Sequence, residues 1–455
     1  MKRLLLVIVL LMFFAPRIWS QDDATSSPTS TTPWLPPKIN GQVNSLAFSS
    51  ESRQTNLLSV GVALSTIYDD NARSNNSHPV GNFGYWIAPN ISIQETRTRV
   101  AWSLNYAPGF ILNQRIGNQY AHDLFFNSQF RFTERLTLQI GDSFTRSTTS
   151  SIGLNENPLQ PAGNVLQQPN ASIVTPLARR TSNGTHLDLV YQLGEGTTVG
   201  VGGSFNERKY GDVANGVDVQ LLNSQSGTAT AYYSHQFSRK HSFGVTYLFS
   251  RVTTSGQIRE GANSHSVQLF YTFAPTASTT LSLFAGPDQT STSDDGQIPI
   301  QIGPFVFYEP ISYKHQSWTG DGGMTFGWQG RRNSIRAMLV RHMSDGGGLT
   351  GAVRSNSGDV RVRRQLSERC TGNLSVVYGT NDALSYLYGK NFQTVSGIAG
   401  FQYALGQHLS LTLNYARDHQ NFQTSSNGAA PFSSSISRNR AWFSIAYHAT
   451  RPLGQ

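Results

Sequence analysis

The chain has 455 residues, of which 38% are apolar, 11% aromatic and only 13% charged, against about 25% charged in an ordinary soluble domain. Its single cysteine, Cys370, excludes an intramolecular disulfide framework and a cysteine-based zinc cluster, and aromatic and β-branched residues throughout exclude a disordered chain. The formal charge of +9 falls to about +6 without Lys2, Arg3 and Arg17, too little over this length to make nucleic acid an expected partner.

Residues 1–20 open with Lys2 and Arg3, continue through an apolar run from Leu4 to Phe14 and end at Ser20. That is the layout of a secretory signal cleaved after Ser20. The apolar run is shorter than the ~20 residues a membrane helix needs, and no cysteine near Ser20 provides a lipoprotein anchor. Residues 21–55 are rich in Ser, Thr and Pro, notably 26–33 and Pro36-Pro37, and read as a flexible extended segment.

From 56 to 449 the sequence is written in period two. Val100, Trp102, Leu104 and Tyr106 share one phase, and Arg99, Ala101, Ser103 and Asn105 the other. Leu124, Phe126, Phe130 and Phe132 repeat the pattern, followed by Leu136, Leu138, Ile140 and Phe144. Val267, Leu269, Tyr271 and Phe273 repeat it again, as do Leu409, Leu411, Leu413 and Tyr415. Successive side chains of a strand point to opposite faces, so each stretch makes one apolar and one polar face. A helix would need apolar positions three and four apart, which these stretches lack. About eighteen such stretches are counted, with sixteen as the lower bound.

The connections alternate in length. Short turns are expected near 95, 134, 195, 239, 275, 330, 367 and 406, several in the form Phe132-Thr133-Glu134, Phe237-Ser238-Arg239, Leu366-Ser367-Glu368 or Leu405-Gly406-Gln407. Long polar connections are expected at 69–83, 147–183, 209–226, 287–314, 344–357, 381–392 and 418–437. A soluble sandwich uses strands of about five or six residues. A membrane barrel needs ~9–11 residues per strand, an even strand number, and turns short at one end and long at the other. The expected fold is therefore all-β: a transmembrane, antiparallel, up-and-down barrel with short periplasmic turns and long extracellular loops, closed because backbone groups in lipid have no water to bond. A six-residue tail, 450–455, follows it.

The chain also resembles a known group. A first strand runs into Tyr68-Asp69-Asp70-Asn71, followed by a strand containing Pro89, the turn Arg97-Thr98-Arg99 and a strand through Tyr106. Leu366-Ser367-Glu368-Arg369 and Asn439-Arg440-Ala441 with Tyr447 follow later. These short motifs, spread over most of 57–449, resemble the β-barrel porin 2 group and its relatives linked to exopolysaccharide (PEP-CTERM-type) systems of Gram-negative bacteria. The resemblance implies an outer-membrane barrel and leaves the cargo open. Many such barrels end in an aromatic residue that assists the outer-membrane assembly machinery, whereas this chain ends Arg451-Pro452-Leu453-Gly454-Gln455; either Tyr447 substitutes for it or the last strand ends earlier.

Enzymatic chemistry finds little footing. The eleven histidines are scattered without HExxH or ligand spacing, and His342 and His448 read as surface residues near strand ends. Asp69-Asp70-Asn71 and Asp294-Asp295-Gly296 offer hard oxygen ligands but lack the spacing of a calcium loop, so solvated loop acids are expected instead. Gly346-Gly347-Gly348 lacks the Lys-Ser/Thr of a phosphate loop and reads as a loop glycine run. No catalytic residue, metal or cofactor is assigned. A lipid hydrolase in the barrel wall would need a Ser-His pair that the sequence does not offer.

The best site candidate is the arginine concentration from 331 to 364: Arg331, Arg332, Arg336, Arg341, Arg354, Arg361, Arg363 and Arg364, opposed within that stretch by Asp345 and Asp359 alone. Alternation sets Arg336 opposite in phase to Ile335, Ala337 and Leu339, and Arg361 and Arg363 opposite in phase to Val360 and Val362. Arginine against mid-membrane lipid costs about 2–4 kcal/mol, so Arg336, Arg361 and Arg363 are expected to line the pore and draw anions. Balance by lumenal acids from other strands, or a position at the membrane interface, is the competing reading. About eighteen strands enclose an aqueous channel unless loops plug it, and 147–183 and 287–314 are the expected constriction or lid. The expected function is a passive channel for small solutes, or a part in exopolysaccharide export. A plugged barrel whose surface loops bind ligands or other cells is the alternative. Lipid is an expected partner; the oligomeric state stays open.

Overall fold

The computed structural model describes residues 56–151, 172–213, 221–255, 259–302, 305–385, 390–423 and 435–453. Every regular element among them is a strand. The first nine are β1 (Leu57–Asp69), β2 (Asn82–Thr96), β3 (Val100–Asn113), β4 (Gln119–Arg131), β5 (Leu136–Ser151), β6 (Val174–Gly194), β7 (Thr197–Val213), β8 (Asn223–Ser238) and β9 (His241–Ser255). The second nine are β10 (Arg259–Thr276), β11 (Thr279–Ile302), β12 (Phe305–Gln329), β13 (Asn333–Asp345), β14 (Ala352–Gln365), β15 (Cys370–Ala383), β16 (Phe392–Ala404), β17 (Leu409–Phe422) and β18 (Ser435–Pro452). The segments 1–20 and 21–55 lie outside the described residues.

Each strand pairs antiparallel with the next, and β18 returns to β1 over Leu57↔Pro452 to Asp69↔Arg440. This makes an up-and-down barrel of 18 strands with no open edge at its seam. All strands meet the length a tilted transmembrane strand requires. The last runs to Pro452, past the expected barrel boundary at 449, and Tyr447 pairs with Val62 of β1 and Leu409 of β17.

Alternation sorts the side chains between lipid and lumen. Leu64, Leu112, Val201, Leu269, Leu339, Leu413 and Ile445 are exposed on the outer face. Ser, Thr, Gly, Asn and charged residues dominate the inner face, with a few aromatics laid over glycines: Trp86 covers Gly109, and Phe270 covers Gly244. Trp328 and Trp318 are outward on β12, ten positions apart. At 3.4 Å per residue and a tilt near 40° this is roughly 25 Å, the height of an apolar band between two aromatic girdles.

Three short turns share one hydrogen-bond form. The N–H groups of Phe132, Leu366 and Leu405 donate to the C=O four residues on, and those of Thr133, Ser367 and Gly406 to the same carbonyls, three residues on. At the other end, 287–314 differs from its expected form as a polar connection. β11 and β12 remain paired through Ile302↔Phe305, so nearly all of it is strand. Beyond the membrane no lipid imposes an apolar face, so the strand continues while its period-two signal disappears.

The acids near the seam are also placed differently from expectation. Asp69 and Asp70 are not solvated loop acids: Arg438 pairs with Asp69 in the interior, while Asp70 accepts from the Asn439 backbone N–H at 2.7 Å and its side-chain amide at 2.5 Å. Arg440 pairs with Asp418 at 2.7 Å. The Tyr68-Asp69-Asp70-Asn71 and Asn439-Arg440-Ala441 motifs therefore meet where the barrel closes.

Candidate functional site

The lumen at the long-loop end is crossed by polypeptide. β14 keeps its pairing with β15 to Val353↔Ala383, while β13 pairs with its wall neighbour β12 only up to Gly322↔Arg341. Beyond that level the alternation of burial stops, with His342, Met343, Ser344, Ala352, Val353, Arg354 and Ser355 all buried. A hairpin still in the wall would keep one face exposed. This one folds inward across the inner surface of β9–β12, which is why His342 is buried rather than at the surface.

What was the hairpin's outer face now lies on that inner wall. Met343 and Ala352 pack against Val252 of β9 and Ala262 of β10. Arg354 pairs with Asp288 of β11 and Asp321 of β12, each at 2.9 Å, and donates to Thr290 at 2.6 Å. Its guanidinium is 5% exposed, and the two carboxylates 0% and 1%. Breaking such a buried pair from one side typically costs about 3–5 kcal/mol, so Arg354 is a strong anchor for the hairpin's base. Ser385, just past β15, donates to Asp294 at 3.0 Å.

The tip is residues 346–351, and the glycine run is what lets it dock. Gly347 and Gly348 adopt φ of 66° and 86°, a region open to glycine at little cost, and a Cβ on Gly348 would enter the Tyr210 ring. The Tyr210 hydroxyl donates to the Gly347 carbonyl at 2.6 Å, and the Leu222 N–H to the Gly348 carbonyl at 2.9 Å. Asp345 accepts from Arg208 at 2.7 Å and Ser224 at 2.8 Å. The Ala352 N–H donates to Glu260 at 3.0 Å. Lys390, outside the strands, donates its backbone N–H to Thr350 at 3.4 Å, and partial burial lowers its ammonium pKa from the usual lysine value.

A second inward element approaches from the opposite side. Of the expected constriction at 147–183, residues 152–171 lie outside the described residues, while Ile173 and Val174 are buried against Phe392, Phe422 and Ile436 on β16–β18. The Gln420 side chain brackets Val174, accepting from its N–H at 2.9 Å and donating to its C=O at 3.0 Å. Leu349 of the hairpin tip packs on this cluster. The two elements thus meet, and a bridge runs from β7–β8 to β16–β18. The constriction expected from 287–314 is instead made by 342–355, since 287–314 stays in the wall.

The arginine concentration is dispersed by the fold. Register sets Arg336 opposite Arg361, and Arg363 opposite Ser334, on the inner phase near the short-turn end. Arg336 and Arg363 are exposed there, and Arg361 pairs with Asp359 at 3.0 Å. Directly opposed like charges on neighbouring strands repel, so Arg336 and Arg361 make a locally anion-attracting surface that Asp359 offsets in part. Arg341 points outward, and Arg354 belongs to the hairpin. Acids from distant strands, Asp288 and Asp321, join the balance, and Asp345 is directed to Arg208.

No family model and no curated protein matches the chain, so the resemblance to the β-barrel porin 2 group has no family match beside it. Among solved structures, the chain is similar to the ferric citrate transporter FecA in its unliganded form, at 10% identity and a TM-score of 0.44, over 87% of this chain and 79% of that one. It is similar to the outer membrane protein OpdK from Pseudomonas aeruginosa, at 14% identity and a TM-score of 0.40, over 87% and 99%. OccAB4 from Acinetobacter baumannii matches at 11% identity and a TM-score of 0.40, over 88% and 100%. Likenesses of this degree carry nothing about cargo or the direction of transport.

Proposed function

We propose that this chain is a porin-like passive channel in the outer membrane of a Gram-negative bacterium, its short turns in the periplasm and its long-loop end outside. The observation that carries this reading is the hairpin folded into an 18-stranded wall and held there only by noncovalent contacts. A barrel of this size encloses an aqueous channel unless it is obstructed, and an inward hairpin narrows it to a selective size. Arg336, Arg361 and Arg363 give the periplasmic mouth a preference for anionic solutes. Passage of exopolysaccharide is a narrower form of the same reading and rests on the sequence resemblance.

A second reading is a plugged barrel that binds ligands or surfaces through its loops. The contact of Leu349 with the Ile173–Val174 cluster favours it, because two inward elements joined by an apolar seam close more of the lumen than one. Ion current through single barrels in planar bilayers separates the two. The channel reading expects discrete ohmic steps at neutral pH; a barrel that inserts and stays silent supports the plug.

A further inference from the structure

The inward hairpin leaves the outer wall short. β12 pairs with β11 along its full length, but with β13 only from Gln329↔Ser334 to Gly322↔Arg341. Above Gly322, β12 has β11 as its one partner strand among the described residues. Trp318, 68% exposed, stands four positions higher on the outer face, so the wall ends roughly 10 Å below the level of that girdle. On β13 the outward apolar residues are Ile335, Ala337 and Leu339 before Arg341 appears, whereas on β3 they extend from Val100 to Leu112. Hydrocarbon at this place meets a notch instead of a wall. An open sheet edge facing lipid carries unsatisfied backbone groups, so something must fill it.

Two features describe the occupant. The notch is lined on its outer side by Gly320 and Gly322; a Cβ at Gly320 would meet only the Gly286 carbonyl, at 3.9 Å, which leaves a hollow there, whereas at Gly322 the backbone of Phe284 and Ala285 already fills the space. Its floor carries Arg341, outward and exposed, with Asn356 beside it in register. Arg341 lies within electrostatic reach of Asp321, which itself pairs with Arg354. Its guanidinium is nevertheless exposed on the outer face, where an anion can approach it.

We propose that the notch is a lipid site. One anionic, phosphate-bearing lipid of the adjoining leaflet seats its headgroup on Arg341, beside Asn356, and lays an acyl chain over Gly320 and Gly322 along the β12 edge. The lipid stands in for the missing upper part of β13. Arginine suits a phosphate because its planar donors bind two oxygens at once.

This inference rests on the barrel lying in a membrane, and the test keeps the two apart. The full-length barrel is reconstituted into nanodiscs of phosphatidylglycerol or phosphatidylcholine, returned to detergent, and weighed by native mass spectrometry. Failure to insert in either lipid would overturn the membrane reading itself. With insertion, the wild type is expected to retain one phosphatidylglycerol per barrel and little phosphatidylcholine. Arg341→Gln is expected to retain about tenfold less, as the loss of a charge-assisted bond predicts, and Arg341→Lys to restore part of it. Gly320→Leu fills the hollow and is expected to expel the lipid; a Cβ there meets only the Gly286 carbonyl, at 3.9 Å, so the barrel folds. Arg363→Gln, on the inner phase, is expected to leave retention unchanged. Equal retention of both lipids, retention indifferent to Arg341 and Gly320, or a mass showing a second copy of the chain in place of lipid overturns the proposal.

Discussion

Asp69 and Arg438 lie 369 positions apart in the chain, and Arg438 Nε donates to Asp69 Oδ2 at 2.9 Å inside the barrel. Both side chains are nearly buried, at 7% and 6% exposure. The pair sits where the first strand meets the last, so it forms only when the cylinder closes. Asp69→Asn leaves a buried guanidinium without its charge partner and is expected to cost about 3–5 kcal/mol. The readout is the temperature at which the folded band is lost in heat-modifiable gel migration. The double change Asp69→Asn with Arg438→Gln is expected to cost less than the two single changes added together.

Release of the hairpin tip is expected to widen the channel. Asp345→Asn removes the charge-assisted bonds to Arg208 and Ser224, and hydrogen bonds to charged groups contribute about 1.5–3 kcal/mol. The ratio of high- to low-conductance dwell times is expected to rise at least about tenfold. Tyr210→Phe removes one neutral bond to Gly347 and is expected to have a smaller effect in the same direction.

Gly348→Ala tests the same tip without touching a charge. A left-handed backbone at an alanine costs about 1–2 kcal/mol, and its Cβ would collide with Tyr210 besides. The tip is expected to detach and become open to added protease in reconstituted vesicles, while heat-modifiable migration shows the wall intact.

Replacing Arg336, Arg361 and Arg363 together with Gln is expected to reduce anion preference. The measurement is the reversal potential across a salt gradient, and the shift is expected to be largest at low ionic strength, where screening is weakest. An unchanged reversal potential removes the arginines from any account of selectivity.

The legible part of the fold is the part that lipid writes. Val100 to Tyr106, Leu124 to Phe132 and Leu409 to Tyr415 alternate because one face must meet hydrocarbon, and each lies on a strand with that face outward. The turns at Phe132, Leu366 and Leu405 were equally plain. Beyond the membrane the rule lapses: Asp288 to Asp295 continue β11 with polar residues on both phases, so a strand reads as a loop. The inward hairpin was hidden for a different reason. Met343 and Arg354 follow a lipid-facing phase, yet they turn onto another wall whose identity depends on Val252, Asp288 and Asp321, residues 33 to 91 positions away. One signal did point to the tip: three consecutive glycines after Asp345, where a backbone was to pass close beside Tyr210. Alternation sets Arg336, Arg361 and Arg363 opposite in phase to the exposed Leu339 and Val360, but the acids that balance their neighbours follow from register, which sequence alone leaves open.

The most direct test compares single-channel currents of the wild type with a variant in which residues 344–353 are replaced by an Asn-Gly turn joining Met343 to Arg354. Asn-Gly suits a two-residue hairpin turn, and the wall below Arg341 is left unchanged. Stepwise ohmic current in the wild type, and larger steps in the shortened variant, is the predicted result. Silence from both barrels after confirmed insertion would contradict a conduit narrowed by its own hairpin.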